Sequence, residues 1–247
     1  MEVALIISLA AAGIRLAVPL LFAALGGILS ERSGVLNIGL EGMLVAGTFG
    51  SYVGALVGQD PWVGVAGGIL AGALVGFLFA VLAVLLRGDQ VVLGTGVNII
   101  ALGLTAFFYR AMYRGGISQF FTGFKVYPIP GLSEIPVLGP VLFTQIPLVY
   151  VAYLLVPAVA FFLYRTTWGL KLRAAGEHPR AVETAGISVR LVRMAAVTLS
   201  GALAGLGGAF LCVGQLSAYT EGLVAGRGFI ALAAVIFGRW DPLRAAL

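Results

Sequence analysis

The sequence predicts an all-α, polytopic transmembrane helical bundle, and three observations carry that prediction. Mean hydropathy is +1.07. Of 247 residues, 60% are hydrophobic and only 10% charged, against about 25% charged in ordinary soluble domains. Five or six apolar runs reach the roughly 20 residues a helix needs to cross the hydrocarbon. The 36 glycines follow no collagen period. They recur instead at four-residue spacing, in Gly68-x3-Gly72-x3-Gly76 and Gly201-x3-Gly205, which lets helices approach closely in lipid. These spacings are read as packing surfaces, not as a functional motif.

The first span is Val3–Leu29. The chain begins Met-Glu without a basic leader region, and this apolar run is too long for a cleaved signal peptide, so it is expected to stay in the membrane. Ile38–Val57, Trp62–Leu86 and Val91–Tyr113 follow, then Ile146–Tyr164 and Met194–Leu216. The stretch Arg165–Arg193 carries six of the 15 basic residues. Placing it in the cytoplasm puts Arg32 and Arg87 on the same side by alternation, and Gln59–Asp60–Pro61 and the N-terminus outside. The net charge of +5 then reflects the positive-inside bias and not a nucleic-acid footprint.

The loop Arg114–Gln145 falls outside, with Arg114 and Lys125 its only basic residues. Its prolines and glycines, among them Pro128, Pro130, Gly131 and Pro136, oppose regular helix. It reads as a structured extended lid or a simple connector. After Leu216 comes a run of only about ten apolar residues, Phe229–Phe237, too short to cross as a helix. It is expected to form a re-entrant or broken segment, tolerated only inside protein or along a cavity. The chain reaches Leu247 within another apolar stretch and reads as C-terminally truncated, with one transmembrane domain over 1–247.

Within Arg165–Arg193, Pro179 stands at a first helical position after Glu177 and His178, and Gly186 stands just past the end. That is the expected asymmetry of a short helix, since Pro has no N–H for the first turn to waste and Gly tolerates positive φ. Ala181, Val182 and Ala185 are expected to share one small apolar face. A two-turn helix is marginal alone in water, so this one is read as a docking element.

Polar residues interrupt the apolar runs. Glu41 follows Asn37 by one turn in GVLNIGLEGMLVAG. An acidic residue at membrane depth costs about 2.5–3.5 kcal/mol on insertion scales and so faces protein or water. Two roles are open: Asn37 and Glu41 border a translocation path, or Glu41 pairs with Arg32 or Arg15. Thr95 and Asn98 pose the same choice between lining a pore and bonding a neighbouring helix. Phe107, Phe108, Tyr109 and Tyr113 read as an interfacial aromatic belt. His178 and Cys212 are the only residues of their kinds, which excludes a His/Cys metal cluster and an intrachain disulfide, and the one histidine sits in the docking loop, so no Ser-His-acid triad is expected. No G-x-x-x-x-G-K-[ST] occurs, so no phosphate-cradling loop for ATP is present.

SERSGVLNIGLEGMLVAGTFGS, GDQVVLGTGVNIIALGLTAFF, GLKLRAAGEHPRAVETAGISV, SGALAGLGGAFL and GRGFIALAAVIFGRWDPL together resemble the permease subunits of bacterial ABC importers for simple sugars and nucleosides. The likeness covers essentially the whole chain and is nearest the guanosine and purine-nucleoside branch. It implies an inner-membrane permease without catalytic residues, metal or bound cofactor, with ATP used by separate ATP-binding subunits. It also implies a second permease subunit in a heterodimer and an extracytoplasmic substrate-binding protein. Ala175–Gly186 resembles the coupling helix of that family, so ATPase coupling is expected at Ala175, Gly176, Glu177, His178, Pro179, Arg180, Ala181, Ala185 and Gly186. A translocation path is expected at Asn37, Glu41, Thr95 and Asn98. A gradient-driven secondary transporter of a small polar solute, with Glu41 as its ion site, is the alternative.

Overall fold

The structure, a computed structural model, describes residues 2–112 and 120–246. Tyr113, Arg114 and Leu247, named above, lie outside the described residues. Among the described residues, six helices are long and apolar enough to span a membrane: Leu5–Arg32, Leu40–Gly58, Pro61–Leu85, Gln90–Met112, Pro147–Arg165 and Val189–Leu216. They correspond to helices α1 (Glu2–Arg32), α2 (Leu40–Gly58), α3 (Pro61–Ala80, running on as a π turn over Val81–Leu85), α4 (Gln90–Met112), α6 (Pro147–Arg165) and α9 (Val189–Ala209, running on as a π turn over Phe210–Leu216). The other elements are short: strands β1 (Tyr127–Pro128) and β2 (Thr144–Gln145), and helices α5 (Leu138–Leu142), α7 (Thr167–Glu177), α8 (Pro179–Thr184), α10 (Arg227–Phe237) and α11 (Pro242–Ala245).

Helix α9 is the buried centre, and α1, α2 and α3 pack around it. Glycine makes this possible. A Cβ on Gly76 would stand 2.9 Å from the Gly201 Cα, and one on Gly72 would stand 2.5 Å from the Gly205 Cα. The two glycine spacings therefore meet each other across α3 and α9, as packing in lipid requires. Helix α9 also starts earlier than hydropathy alone predicts. Ser188 caps it by accepting from Leu191 N, so Arg190 and Arg193 ride on its first turns, beyond the apolar run.

The segment between α4 and α6 forms a minimal antiparallel ladder, Tyr127 opposite Gln145 and Pro128 opposite Thr144. Tyr150 holds it down by donating its hydroxyl to the Tyr127 carbonyl at 2.9 Å. Phe121 and Phe124 pin its start to α9 through bonds to the Ser217 and Val213 carbonyls.

From the C-terminal end of α9 the chain turns back. Gln215 Nε2 donates to the Arg15 carbonyl at 2.9 Å, and Arg32 Nε donates to the Trp240 carbonyl at 3.1 Å. Arg15 and Arg32 lie roughly 25 Å apart on α1 by helical rise. Ser217–Trp240 therefore descends most of the hydrocarbon depth, first as an unwound segment to Gly226 and then as the 11-residue helix α10. This is the broken crossing that the short apolar run predicts. Ala225 (φ 49°) and Gly226 (φ 82°) make the turn into α10 with two successive left-handed residues. At its far end, Tyr164 donates to Asp241, whose carboxylate also accepts from Leu243 and Arg244 N–H. Burial opposes ionisation of Asp241, but the Arg244 N–H, the Tyr164 hydroxyl and the Leu243 N–H together hold its pKa below the usual value.

Candidate functional site

Two regions hold the residues singled out in the sequence. In the segment predicted to be cytoplasmic, Thr166 ends α6 and caps α7 by accepting from Gly169 N at 3.0 Å. Helix α7 buries Leu172 and Ala175. Gly176 lies so near α1 that a Cβ there would overlap the Arg32 carbonyl. Helix α8 follows with Pro179 at its first position and closes in a Schellman motif. Gly186 N donates to the Glu183 carbonyl at 3.0 Å and Ile187 N to the Val182 carbonyl at 3.2 Å, with Gly186 at φ 78° as that motif requires.

The expected coupling residues divide on this framework. Ala175 and Gly176 face inward and brace α7 against the end of α1, so they are not available to a partner groove. The shared apolar face predicted for Ala181, Val182 and Ala185 is also corrected. Val182 alone is buried, while Ala181 and Ala185 stand exposed. Glu177, His178 and Arg180 are exposed, Pro179 is half-buried, and no ion pair holds any of them among the described residues. Helix α8 is thus anchored by one valine and presents small and charged groups outward.

At membrane depth the structure gives Asn37, Glu41 and Asn98 structural partners. Two helices begin there with a glycine at the cap and no side-chain cap of their own, α2 at Gly39 and α10 at Gly226. Their orphan N–H groups cannot turn to water. Asn98, from α4, serves α2: its Oδ1 accepts from Gly42 N at 2.7 Å and its Nδ2 donates to the Ile38 carbonyl at 3.0 Å. Gly42 allows this approach, since a Cβ there would meet the Val97 carbonyl at 2.9 Å. Glu41, from α2, serves α10: Oε1 accepts from Gly226 N at 2.8 Å and Oε2 from Gly228 N at 2.6 Å. A carboxylate at a helix N-terminus is also favoured by the helix dipole. The pairing of Glu41 with Arg32 or Arg15 is therefore not formed. Asn37 donates to Ser200 Oγ at 3.0 Å and ties the extended entry to α2 onto α9, its Oδ1 buried without a partner. Thr95 alone of the four is exposed, bonded to the Val91 and Val92 carbonyls of its own helix.

Beside these braces lies a cavity of about 160 Å³ between α2, α4 and the unwound segment, lined in part by Thr48, Leu102, Thr105, Tyr219 and Glu221. Thr95 stands two turns before Leu102 on the same face of α4. At the rim Arg110 grips Glu221 in a bidentate pair at 2.8 and 2.7 Å. Below, Arg227 donates Nη1 to the Leu223 and Val224 carbonyls, and its Nε and Nη2 have no hydrogen-bond partner among the described residues. Glu221, Gly222 and Ala225 are exposed. Unwound backbone and a half-buried arginine at this depth cannot face lipid, so this face meets protein or water. Arg110, Glu221 and Arg227 escaped the sequence reading; a lone arginine between two glycines, ahead of an apolar run too short to cross, is the signal for Arg227. The aromatic belt is also corrected in part: Tyr109 packs inward on Tyr52 and Tyr219, with centroids 6.3 and 5.0 Å away, while Phe107 is exposed.

Residues 9–247 match the family described as branched-chain amino acid transport system, permease component. The chain belongs to this permease family. The permease is 40% identical over 236 residues to the nucleoside ABC transporter permease protein NupC of Lactococcus lactis, covering 93% of this chain and 74% of that protein. It is 41% identical over 240 residues to the guanosine ABC transporter permease protein NupQ of Bacillus subtilis, with the same two coverages. It is 38% identical to a Haloferax volcanii protein named a putative glucose ABC transporter permease, covering 94% of this chain and 71% of that protein. Lactococcus lactis and Bacillus subtilis each hold a second matching permease, NupB and NupP, at 27% and 29% identity. No solved structure matches the chain. The permease is thus a multi-pass inner-membrane protein of the ABC-importer kind, and its relatives do not favour the gradient-driven alternative.

Proposed function

We propose that the permease carries nucleosides of the guanosine kind across the cytoplasmic membrane, with 1–247 acting as one domain and supplying half of the path. The observation that carries this reading is the likeness of about 40% over 93% of the chain to permeases named for nucleosides and guanosine. The second half of the path comes from a second, related permease subunit, a pairing supported by the two matching permeases in each of two organisms. The path runs along the face made by Thr95, the unwound segment and Arg227, which must be covered by protein or water. Asn37, Glu41 and Asn98 hold that face in shape. Substrate arrives from an extracytoplasmic binding protein.

The chain itself performs no catalysis and binds no cofactor; separate subunits bind and hydrolyse ATP. Helix α8 seats in a groove of an ATP-binding subunit through Glu177, His178, Pro179, Arg180, Ala181, Ala185 and Gly186. Its short, small-faced surface suits a groove, and its continuity with α7 and α9 passes displacement into the central helix. Uptake of labelled guanosine by cells expressing the whole transporter tests the substrate. ATP-dependent uptake, suppressed by excess unlabelled nucleosides and not by glucose or ribose, is the expected result. Uptake of glucose in place of guanosine overturns the nucleoside assignment and leaves the permease family standing.

A further inference from the structure

A second polar cavity lies at the cytoplasmic end, away from the path. It measures about 380 Å³ and sits between the turn joining α3 to α4, the start of α9 and helix α8. Val35, Ala83 and Val84 form an apolar floor. Arg87, Arg190 and Arg193 surround it, against the single carboxylate of Glu183. Arg193 is partly committed, donating Nε to the Ser33 carbonyl and Nη2 to the Ala175 carbonyl, both at 3.0 Å. Arg87 and Arg190 are uncommitted: neither side chain has a hydrogen bond or ion pair among the described residues. Arg87 is set at the cavity mouth by a left-handed backbone (φ 55°), in a turn closed by Leu86 N to the Val81 carbonyl and Gly88 N to the Leu82 carbonyl. The first residues of the long helix α9, Val189 and Arg190, also line the cavity. The partial positive charge of the α9 N-terminus thus adds to three guanidiniums.

The surroundings distinguish an amphiphile from a soluble ion. Leu85, Leu86, Val91 and Val92 are exposed immediately beside the basic residues, at the end of α3 and the start of α4 that border the cavity. An anionic group bound between Arg87 and Arg190 would have an apolar wall for attached chains. We propose that this cavity binds the phosphate headgroup of an anionic phospholipid from the cytoplasmic leaflet. Basic pockets between membrane helices on this side suit such headgroups, at about 1 kcal/mol per Lys or Arg near the surface. Pro179 and Glu183 of α8 form the opposite wall, so the headgroup lies directly against that helix.

Native mass spectrometry of the assembled, detergent-purified transporter tests this with dioleoyl phosphatidylglycerol and dioleoyl phosphatidylcholine as probes. Wild type is expected to retain phosphatidylglycerol and not phosphatidylcholine. Arg87→Gln with Arg190→Gln weakens retention about thirtyfold, from about fivefold per arginine. Arg87→Lys with Arg190→Lys stays within a few fold of wild type, which separates loss of charge from loss of fold. Arg165→Gln with Lys171→Gln removes equal charge elsewhere and leaves retention unchanged. Equal retention of the two lipids, unchanged phosphatidylglycerol binding in the glutamine variant, or its displacement by millimolar inorganic phosphate overturns the lipid assignment; the last outcome marks a site for a free anion.

Discussion

Replacing Glu41 by Ala removes both acceptors that hold the start of α10. The Glu41 carboxylate takes the N–H groups of Gly226 and Gly228 at 2.8 and 2.6 Å in a site where Glu41 is 6% exposed. Hydrogen bonds to a charged partner contribute about 1.5–3 kcal/mol each, so the pair contributes about 3–6 kcal/mol to the local stability of α10. Gln keeps one acceptor but turns amide donors toward the other N–H, and should lose about half as much. Hydrogen exchange of the purified transporter, followed at the amides of Gly226–Ile230, reads the effect directly, because local opening sets the exchange rate. Glu41→Ala should speed exchange there by about a hundredfold or more, with Glu41→Gln between it and wild type. The amides of α6 serve as an internal reference and stay at wild-type rates. Unchanged exchange at Gly226–Ile230 in Glu41→Ala would refute the capping role and return Glu41 to the list of path residues.

Three further outcomes follow from the same geometry. Asn98→Ala leaves Gly42 N–H and the Ile38 carbonyl without partners in a dry site, which costs about 1–3 kcal/mol for each group; a thermal-denaturation shift to lower temperature, larger than that of Thr95→Ala, checks it. Gly205→Ala drives a methyl into the α3 backbone across the central helix contact, costs several kcal/mol as overpacking against backbone, and should appear as loss of folded protein in detergent. Glu177→Ala with Arg180→Ala leaves insertion and thermal stability unchanged but lowers uptake per ATP hydrolysed by about tenfold; normal coupled uptake in that variant defeats the role given to α8.

The spans were readable because hydropathy and span length report on the same physical requirement. Trp62–Leu86 and Ile146–Tyr164 each match a helix to within a residue at either end. Errors arise where helix and hydrocarbon part company. Helix α9 begins at Val189, not Met194, because a capped helix continues past its charged residues into water. Helix α7 was hidden because Thr167–Glu177 mixes charges with small residues and has no apolar run, and its stability comes from burial of Leu172 and Ala175 against the bundle. Helix α8 was readable from Pro179 and Gly186, which act locally. Its orientation was not, since only the bundle determines that Val182 turns inward.

The candidate path was less readable for a single reason. A polar residue at membrane depth must satisfy its own hydrogen bonds or those of its neighbours, and sequence does not say which. Asn98 bonds Gly42 across 56 residues and Glu41 bonds Gly228 across 187, so neither partnership leaves a local trace. Once both helix starts are capped, polar groups without a partner among the described residues remain at Asn37 Oδ1 and, beside the exposed unwound segment, at Nε and Nη2 of Arg227. Arg227→Ala separates a path lining from a second brace. A path residue loses guanosine uptake by tenfold or more while thermal stability and subunit assembly hold, whereas a brace loses stability and uptake together. The lining role fails if the variant transports normally or if its loss of uptake tracks its loss of folded protein.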